Sequence, residues 1–312
     1  MLQLTLAYRD DDRTPVIFAI REIAKRHYAL ELNIVRIKDG DAYEAALFNG
    51  AADIIIEHLE YLYEEAAKRK KVTFLCAPSK GGGLGLVVRP SVQSVEDLRG
   101  KTIAVRSHGQ PHAVTLWLRM LGLEKDVTSI IVADKDVGRW GQWKKVVSGE
   151  CAATFMSPLY LPEAINAGLK ILAVPDIPIV GQFAQACLAE FARNNDAAMR
   201  AYMQAVLQAL VWLTYRPDEA LATLAPELKA SLNITDDSEL KRRFDAVVTG
   251  LKVRPYPTPQ AIANTYEIAV IEYPNAKDLN PLSLWDLHWV KELDDGGFID
   301  ELVKNLSEGS GS

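Results

Sequence analysis

Two stretches with a similar pattern decide the fold: LTLAYRDDDRTPVIFAIREIAKRHYALELNIVRI at residues 4–37 and TIAVRSHGQPHAVTLWLRMLGLEKDVTSIIVA at residues 102–133. Each stretch begins with a strand-like apolar run and continues with a polar loop. A proline, Pro15 or Pro111, then opens a helix with apolar periodicity, and a second apolar strand follows. A strand, a helix and a second strand in this order are typical of a βαβ unit with parallel strands.

The residues after each unit match more closely. A shift of 99 positions (149 minus 50) places Gly50 on Gly149 and Tyr61 on Tyr160 without a gap. In both copies a short helix ends at the glycine, where a left-handed cap costs least. Another strand, a helix and a last strand follow in the same order. The matched order of elements therefore predicts two α/β lobes of similar topology.

We expect an α/β fold made of two Rossmann-like lobes joined by a hinge, with C-terminal helices packed on the first lobe. The first lobe is predicted to comprise residues 1–89 and 186–306, and the second lobe residues 90–185. From Ala186 onward the apolar spacing predicts helices. Residues 307–312 end in Gly-Ser-Gly-Ser and look like an added linker, so they are left out of the fold prediction.

Composition excludes several classes of protein. The 312 residues are 49% apolar and 24% charged, which is ordinary for a globular chain. A net charge of −6, with Lys and Arg spread along the chain, disfavours a nucleic-acid partner. No apolar run has the length needed to span a bilayer. The three cysteines are widely spaced in apolar stretches, so we expect buried, reduced thiols.

The first residues leave the compartment open. They carry no basic segment ahead of an apolar run, so they predict a first strand and not a signal peptide. Either a leader was removed from a protein that works outside the cytoplasm, or Met1 is the native start of a cytoplasmic protein.

A ligand in open α/β sheets binds beyond the carboxyl ends of the strands. We expect those ends in both lobes to border one cleft, with helix N-termini favouring an anionic or strongly hydrogen-bonding group. The residues predicted to contact a ligand are Tyr8, Arg9, Asp10, Glu57, His58, Gly83, Ser107, His108, Gly109, Gln110, His112, Trp140, Met156, Ser157 and Gln182.

Some of these segments have a second interpretation. His108 and His112 have the spacing of metal ligands on a helix, but the intervening Gly and Pro favour a ligand-contacting loop, and no metal is predicted. The glycine run at residues 81–83 leads into a strand, which disfavours a phosphate loop. Trp140 is placed either to stack on a planar ligand or to pack in the interior. Gln182 lies in a segment that resembles a hinge.

Three segments carry a resemblance to a known family. SVEDLRGKTIAV at residues 94–105 is similar to the opening of the second lobe in the type 2 periplasmic-binding-protein superfamily. GECAA at residues 149–153 resembles the start of the next strand in that superfamily. Ala152 stands where the superfamily usually has an acidic residue, whereas the first lobe keeps an acidic residue, Asp53, at the matching position. Residues 284–299 resemble the end of the branch that contains nitrate, sulfonate and thiamine-pyrimidine binding proteins.

The resemblance implies a monomeric protein without a cofactor. It would close two lobes on a small organic molecule, anionic or heteroaromatic, and deliver that molecule to an ABC permease. The same superfamily also includes decarboxylases and lyases. A cytoplasmic enzyme for small aromatic carboxylic acids therefore remains the alternative, with Arg9, His58 and His108 as the residues that would hold a carboxylate and move a proton.

Overall fold

The computed structural model describes residues 2–57, 59–81, 84–106, 111–157, 160–181 and 183–308. The strands in this part span Leu2–Tyr8 (β1), Leu30–Arg36 (β2), Ile54–Ile56 (β3), Val72–Cys76 (β4), Gly85–Val88 (β5), Thr102–Arg106 (β6), Thr128–Val132 (β7), Ala153–Met156 (β8), Lys170–Leu172 (β9) and Gln185–Leu188 (β10).

The α-helices span Thr14–His27 (α1), Gly40–Ala45 (α2), Tyr61–Ala67 (α3), Pro111–Met120 (α4), Asp134–Val137 (α5), Lys144–Val147 (α6), Leu161–Asn166 (α7), Ala189–Asn194 (α8), Asp196–Tyr215 (α9), Pro217–Leu232 (α10), Asp237–Thr249 (α11), Pro259–Glu272 (α12), His288–Asp295 (α13) and Phe298–Glu308 (α14). Short 3₁₀ helices lie between some of them, including one at Asp11–Arg13.

The chain forms two compact units. Unit 1 comprises residues 1–81, 180–263 and 275–312, and unit 2 comprises residues 82–179 and 264–274. Each unit is built on its own five-stranded sheet. The two α/β lobes predicted from the sequence are therefore confirmed.

The two sheets have the same topology. In unit 1 the strand order is β2-β1-β3-β10-β4, with β1, β2 and β3 parallel and β10 antiparallel to both of its neighbours. In unit 2 the order is β7-β6-β8-β5-β9, and β5 is the antiparallel strand. The repeated order shows that the similarity found with a shift of 99 positions (149 minus 50) is structural.

Both aligned glycines adopt the backbone conformation that the repeat predicts. Gly50 has φ of 76° and Gly149 has φ of 87°, in the left-handed region that side chains other than glycine rarely adopt. Each glycine lies between a short helix and the third strand of its sheet. The glycine cap is thus a shared feature of the two units.

The observed unit boundaries differ from the expected ones at 89/90 and 185/186. The strand β5 precedes residue 89 but pairs with β8 and β9, so it belongs to unit 2. Residues 186–188 were expected to begin a helix, and this expectation is wrong, because together with Gln185 they form β10 between β3 and β4. Short buried apolar runs cannot be assigned to strand or helix from periodicity alone.

The C-terminal helices pack on the first unit, as expected. Its core joins β1 and α1 to α9, whose residues Met203, Leu207 and Leu210 are fully buried, and to residues of α10, α11, α13 and α14. The second half of α12 is the exception. It belongs to unit 2, where Ile268 joins the core and the Asn264 side-chain amide donates to the Pro178 carbonyl at 2.7 Å.

The three cysteines are buried and unpaired in disulfides, which confirms the expectation of reduced thiols. Among the described residues, no helix is both long enough and apolar enough to cross a membrane.

Candidate functional site

The carboxyl edge of the unit 1 sheet gathers several of the residues that the sequence predicts. Arg9 and Asp10 follow β1 directly, and Glu57 follows β3, its parallel neighbour. Because parallel strands end at the same edge of a sheet, these side chains are brought together although they lie about 50 residues apart in the chain. This edge is the candidate site of unit 1.

A buried ion pair anchors this edge. The Arg13 guanidinium donates through Nη2 to Glu57 Oε1, and the side chains of Arg13 and Glu57 are only 1% and 7% exposed. Glu57 Oε2 also accepts from the backbone N–H of Asp10 at 3.3 Å. One carboxylate thus ties the loop after β1 to the start of α1. The charge of Arg13 is neutralised within the protein.

The surroundings of Arg13 add weaker contacts. Its Nη1 lies 4.0 Å from Asp10 Oδ2, and its guanidinium carbon lies 6.0 Å from the centre of the Phe183 ring. Its buried Nε has no hydrogen-bond partner within the described residues. The sequence analysis assigned Arg13 no role, and the pattern gives no sign of it, because its partner is 44 positions away.

Arg9 differs from Arg13 in that no carboxylate of the described residues pairs with it. Within the described ranges its guanidinium makes no ion pair and no hydrogen bond, and it lies against Gly40, where an added Cβ would be 3.5 Å from its Cζ and nitrogens. Its carbonyl accepts from Arg36 Nε at 3.3 Å, while Arg36 pairs with Asp11 at 2.5 Å. The half-buried Arg9 side chain therefore offers a free cation at this edge.

Tyr43, in α2, is a polar neighbour that the sequence analysis missed. It is 2% exposed, and its ring meets that of Tyr61 edge-on at 6.4 Å. Its hydroxyl has no hydrogen-bond partner in the described part of the chain. Burial, reinforced by Tyr61 and Glu57, raises the pKa of Tyr43 well above its ordinary value, so the hydroxyl remains protonated and can donate.

Tyr8, which the sequence predicts to contact a ligand, lies in the core of unit 1. It is the last residue of β1, and only 2% of it is exposed, since its side chain belongs to the core of unit 1. This burial favours packing over ligand contact for Tyr8.

In unit 2 the corresponding edge is formed by the ends of β6, β7 and β8. Met156 is fully buried in a core cluster. Ser157 is half-buried, and its carbonyl accepts from the Tyr160 backbone N–H at 3.0 Å. His112 is half-buried in the first turn of α4, and its Nδ1 has no hydrogen-bond partner among the described residues.

Trp140 contacts two neighbouring side chains of unit 2. Its ring lies 5.0 Å from the guanidinium of Arg106 and is nearly parallel to the ring of Tyr160, with centroids 5.7 Å apart. Arg106 donates through Nε to both carboxylate oxygens of Asp134, at 2.9 and 3.0 Å. Because Trp140 is 6% exposed and contacts Arg106 and Tyr160, its environment favours the packing interpretation.

Seven of the predicted contact residues lie outside the described residues. They are His58, Gly83, Ser107, His108, Gly109, Gln110 and Gln182. Among the residues that are described, no group of three or more His, Cys, Asp or Glu side chains lies together as metal ligands would.

A cavity of about 270 Å³ in unit 1 lies away from the candidate site. It is lined by residues near the C-terminal end of α1, such as Ile23 and His27, and by Trp212 of α9 and Leu302 of α14. Since α1 begins at the carboxyl edge and runs away from it, this cavity lies at the other end of the helix. It contains none of the sequence-predicted residues.

Solved structures share this architecture. A putative periplasmic sulfonate-binding protein SsuA of Methylobacillus flagellatus KT is 18% identical, with 96% of each chain covered and a TM-score of 0.71. The periplasmic aliphatic sulphonate binding protein SsuA of Escherichia coli is 16% identical, with 88% of each chain covered and a TM-score of 0.66.

A third structure is similar over most of its length. The alkanesulfonate-binding protein SsuA of Xanthomonas axonopodis pv. citri, solved with MOPS bound, is 15% identical, with 92% of this chain and 99% of that chain covered and a TM-score of 0.60. At these identities the likeness shows the fold. That fold is the two-lobed fold of periplasmic binding proteins, as the sequence predicted.

Comparison with curated proteins finds no significant match. Residues 26–220, more than half of the chain, match the family described as NMT1/THI5 like. This agrees with the resemblance noted in the sequence, and the chain belongs to the NMT1/THI5-like family.

Proposed function

We propose that this chain is a solute-binding protein for a small organic anion, and that Arg9 contacts the anionic group. The observation that carries the proposal is the free guanidinium of Arg9 at the carboxyl edge of the unit 1 sheet. Arg13 lies nearby, but its charge is paired with Glu57. Of these two arginines, Arg9 is therefore the one whose charge is available to a ligand.

The chemistry of a guanidinium fits such a ligand. Its planar fork donates two parallel hydrogen bonds to a carboxylate or a sulfonate, and it stays charged at every physiological pH. Partial burial of Arg9 strengthens this interaction, because fewer water molecules screen it. The structural relatives named as sulfonate-binding proteins are consistent with an anionic ligand.

In this proposal the protein works as a monomer outside the cytoplasm and passes its ligand to an ABC permease. The names of the structural relatives, which include periplasmic binding proteins, support that compartment and that partner. In this proposal the residues at the edge of unit 1 bind the anion by charge and hydrogen bonding.

Calorimetric titration with a panel of anions tests the proposal. The panel contains ethanesulfonate, MOPS, butyrate and benzoate, with neutral amides of the two carboxylic acids as controls. We expect at least one anion to bind at one molecule per chain. Arg9→Ala should weaken its binding at least tenfold, since a charged hydrogen-bonding group is lost, while the melting temperature stays within about 3 °C.

Arg26→Ala is the matched control variant. Arg26 lies near the C-terminal end of α1 in the same unit, with its side chain 54% exposed, and its loss removes the same charge away from the candidate site. Its affinity should equal that of the unsubstituted protein. Anion binding that is equally strong without the Arg9 side chain, or no anion binding at all, would refute the proposal.

A further inference from the structure

The charged side chains at the carboxyl edge of unit 1 are not equally available to a ligand. Two guanidinium groups, those of Arg9 and Arg13, lie near Tyr43, and the carboxylate of Glu57 pairs with Arg13. The side chain of Glu57 is 7% exposed, so water screens its charge poorly. Of these two guanidinium groups, that of Arg9 alone has no carboxylate partner among the described residues.

We infer that Glu57 is a specificity-determining residue that restricts the site to singly charged anions. The inference rests on the proposed function, because it concerns the ligand bound through Arg9. A ligand with one negative charge pairs with Arg9. A second negative charge on the same ligand is not attracted by Arg13, because the carboxylate of Glu57 already neutralises that guanidinium.

Asp10 also disfavours a second negative charge on the ligand. Its carboxylate lies 4.0 Å from Arg13 Nη1 and is 45% exposed, so it adds a weaker, water-screened negative charge. Singly charged sulfonates and monocarboxylates are therefore favoured over dicarboxylates and other dianions of the same size.

The inferred role of Glu57 predicts an unusual effect of its removal. Glu57→Gln keeps the size of the side chain and one oxygen that can accept from Arg13, but it removes the buried carboxylate that neutralises the Arg13 charge. The fold should be less stable, because a buried charge loses its partner. Dianions should nevertheless bind better, whereas a variant with only structural damage would bind all anions less well.

The experiment compares two pairs of anions that differ by one charge, ethanesulfonate with sulfoacetate and butyrate with succinate. Calorimetry gives the ratio of the dianion and monoanion dissociation constants for each pair. In the unsubstituted protein the monoanion should bind at least tenfold more tightly. In Glu57→Gln this preference should fall at least tenfold.

Glu31→Gln is the matched control. Glu31 is an exposed residue near the start of β2, at the opposite edge of the same sheet, and its loss changes the net charge by the same amount. The preference for monoanions should not change in this variant. A shift as large as that in Glu57→Gln would mean that overall charge, and not the position of Glu57, sets the preference.

The other outcomes are also decisive. A ratio that is unchanged in folded Glu57→Gln would overturn the inference while leaving anion binding through Arg9 intact. If Glu57→Gln does not fold, tighter binding of the dianions by the unsubstituted protein would overturn it equally. If the unsubstituted protein binds none of the four anions, the proposed function fails, and the inference fails with it.

Discussion

Gly181 is packed so closely against Ser79 that a single added methyl group should destabilise unit 1. A Cβ at position 181 would lie 2.3 Å from Ser79 Oγ and 2.6 Å from Ser79 Cβ. Rotation of the serine side chain relieves only the first contact, because the Cβ of Ser79 is fixed to the backbone. Gly181→Ala therefore requires the backbone to move.

The expected cost is that of overpacking a tight site, about 2 kcal/mol. Ser79→Gly removes both clashing atoms, and the nearest remaining atom, Gly81 Cα, is 3.3 Å away. Alone, Ser79→Gly should cost about 1 kcal/mol, because the hydroxyl that accepts from the Gly81 backbone N–H is lost. The free energy of unfolding lost in the double variant should be smaller than the sum of the two single losses by about 1 kcal/mol or more.

Urea denaturation followed by circular dichroism measures these free energies of unfolding. Gly250→Ala is the control, since a Cβ there meets nothing closer than 3.5 Å and the φ of −81° suits alanine. It should change the free energy by less than about 0.5 kcal/mol. Equal stability of Gly181→Ala and the unsubstituted protein, or purely additive costs in the double variant, would refute the packing argument.

Three further predictions concern the two units and their titrating groups. Gly50→Val and Gly149→Val should each cost about 1 kcal/mol or more in urea denaturation, because both positions have left-handed φ; a loss at one position alone would contradict the shared cap. Burial raises the pKa of Tyr28 to about 12, so the stability that Tyr28 contributes is present below pH 10 and lost as the pH rises towards 12. Tyr28→Phe should reduce this loss of stability, and identical curves of unfolding free energy against pH for the two proteins would contradict the prediction. Burial also raises the pKa of Cys187 to about 12, so iodoacetamide at pH 8 should label this thiol at least a hundredfold more slowly in the folded protein than in urea; comparable rates in mass spectrometry would show that the thiol is accessible.

Local patterns in the sequence were sufficient to predict most of the fold. Pro15 opens a helix, α1, that begins one residue earlier, and Gly50 and Gly149 adopt the predicted cap. The patterns failed where pairing is long-range. The apolar residues 186–188 of β10 suit a buried strand as well as a buried helix, and only their pairing with β3 and β4 distinguishes the two.

The candidate site was predictable only in part, for a related reason. Asp10 and Glu57 were predicted because each follows the end of a strand, where ligands bind in open α/β sheets. Arg13 was missed, since its partner lies 44 residues away and no local pattern joins them. The contacts of Trp140 with Arg106 and Tyr160 likewise depend on the tertiary structure, so the sequence left the role of Trp140 open.

Native mass spectrometry of the protein with its bound anion tests the central claim most directly. The same sample is measured at once and again after prolonged incubation and release of the small molecule by denaturation. We predict one organic anion per folded chain, recovered with its mass unchanged. A ligand that returns as a decarboxylated or dehydrated product would show instead that the chain is an enzyme, and a folded chain that retains no anion from the panel would contradict the account.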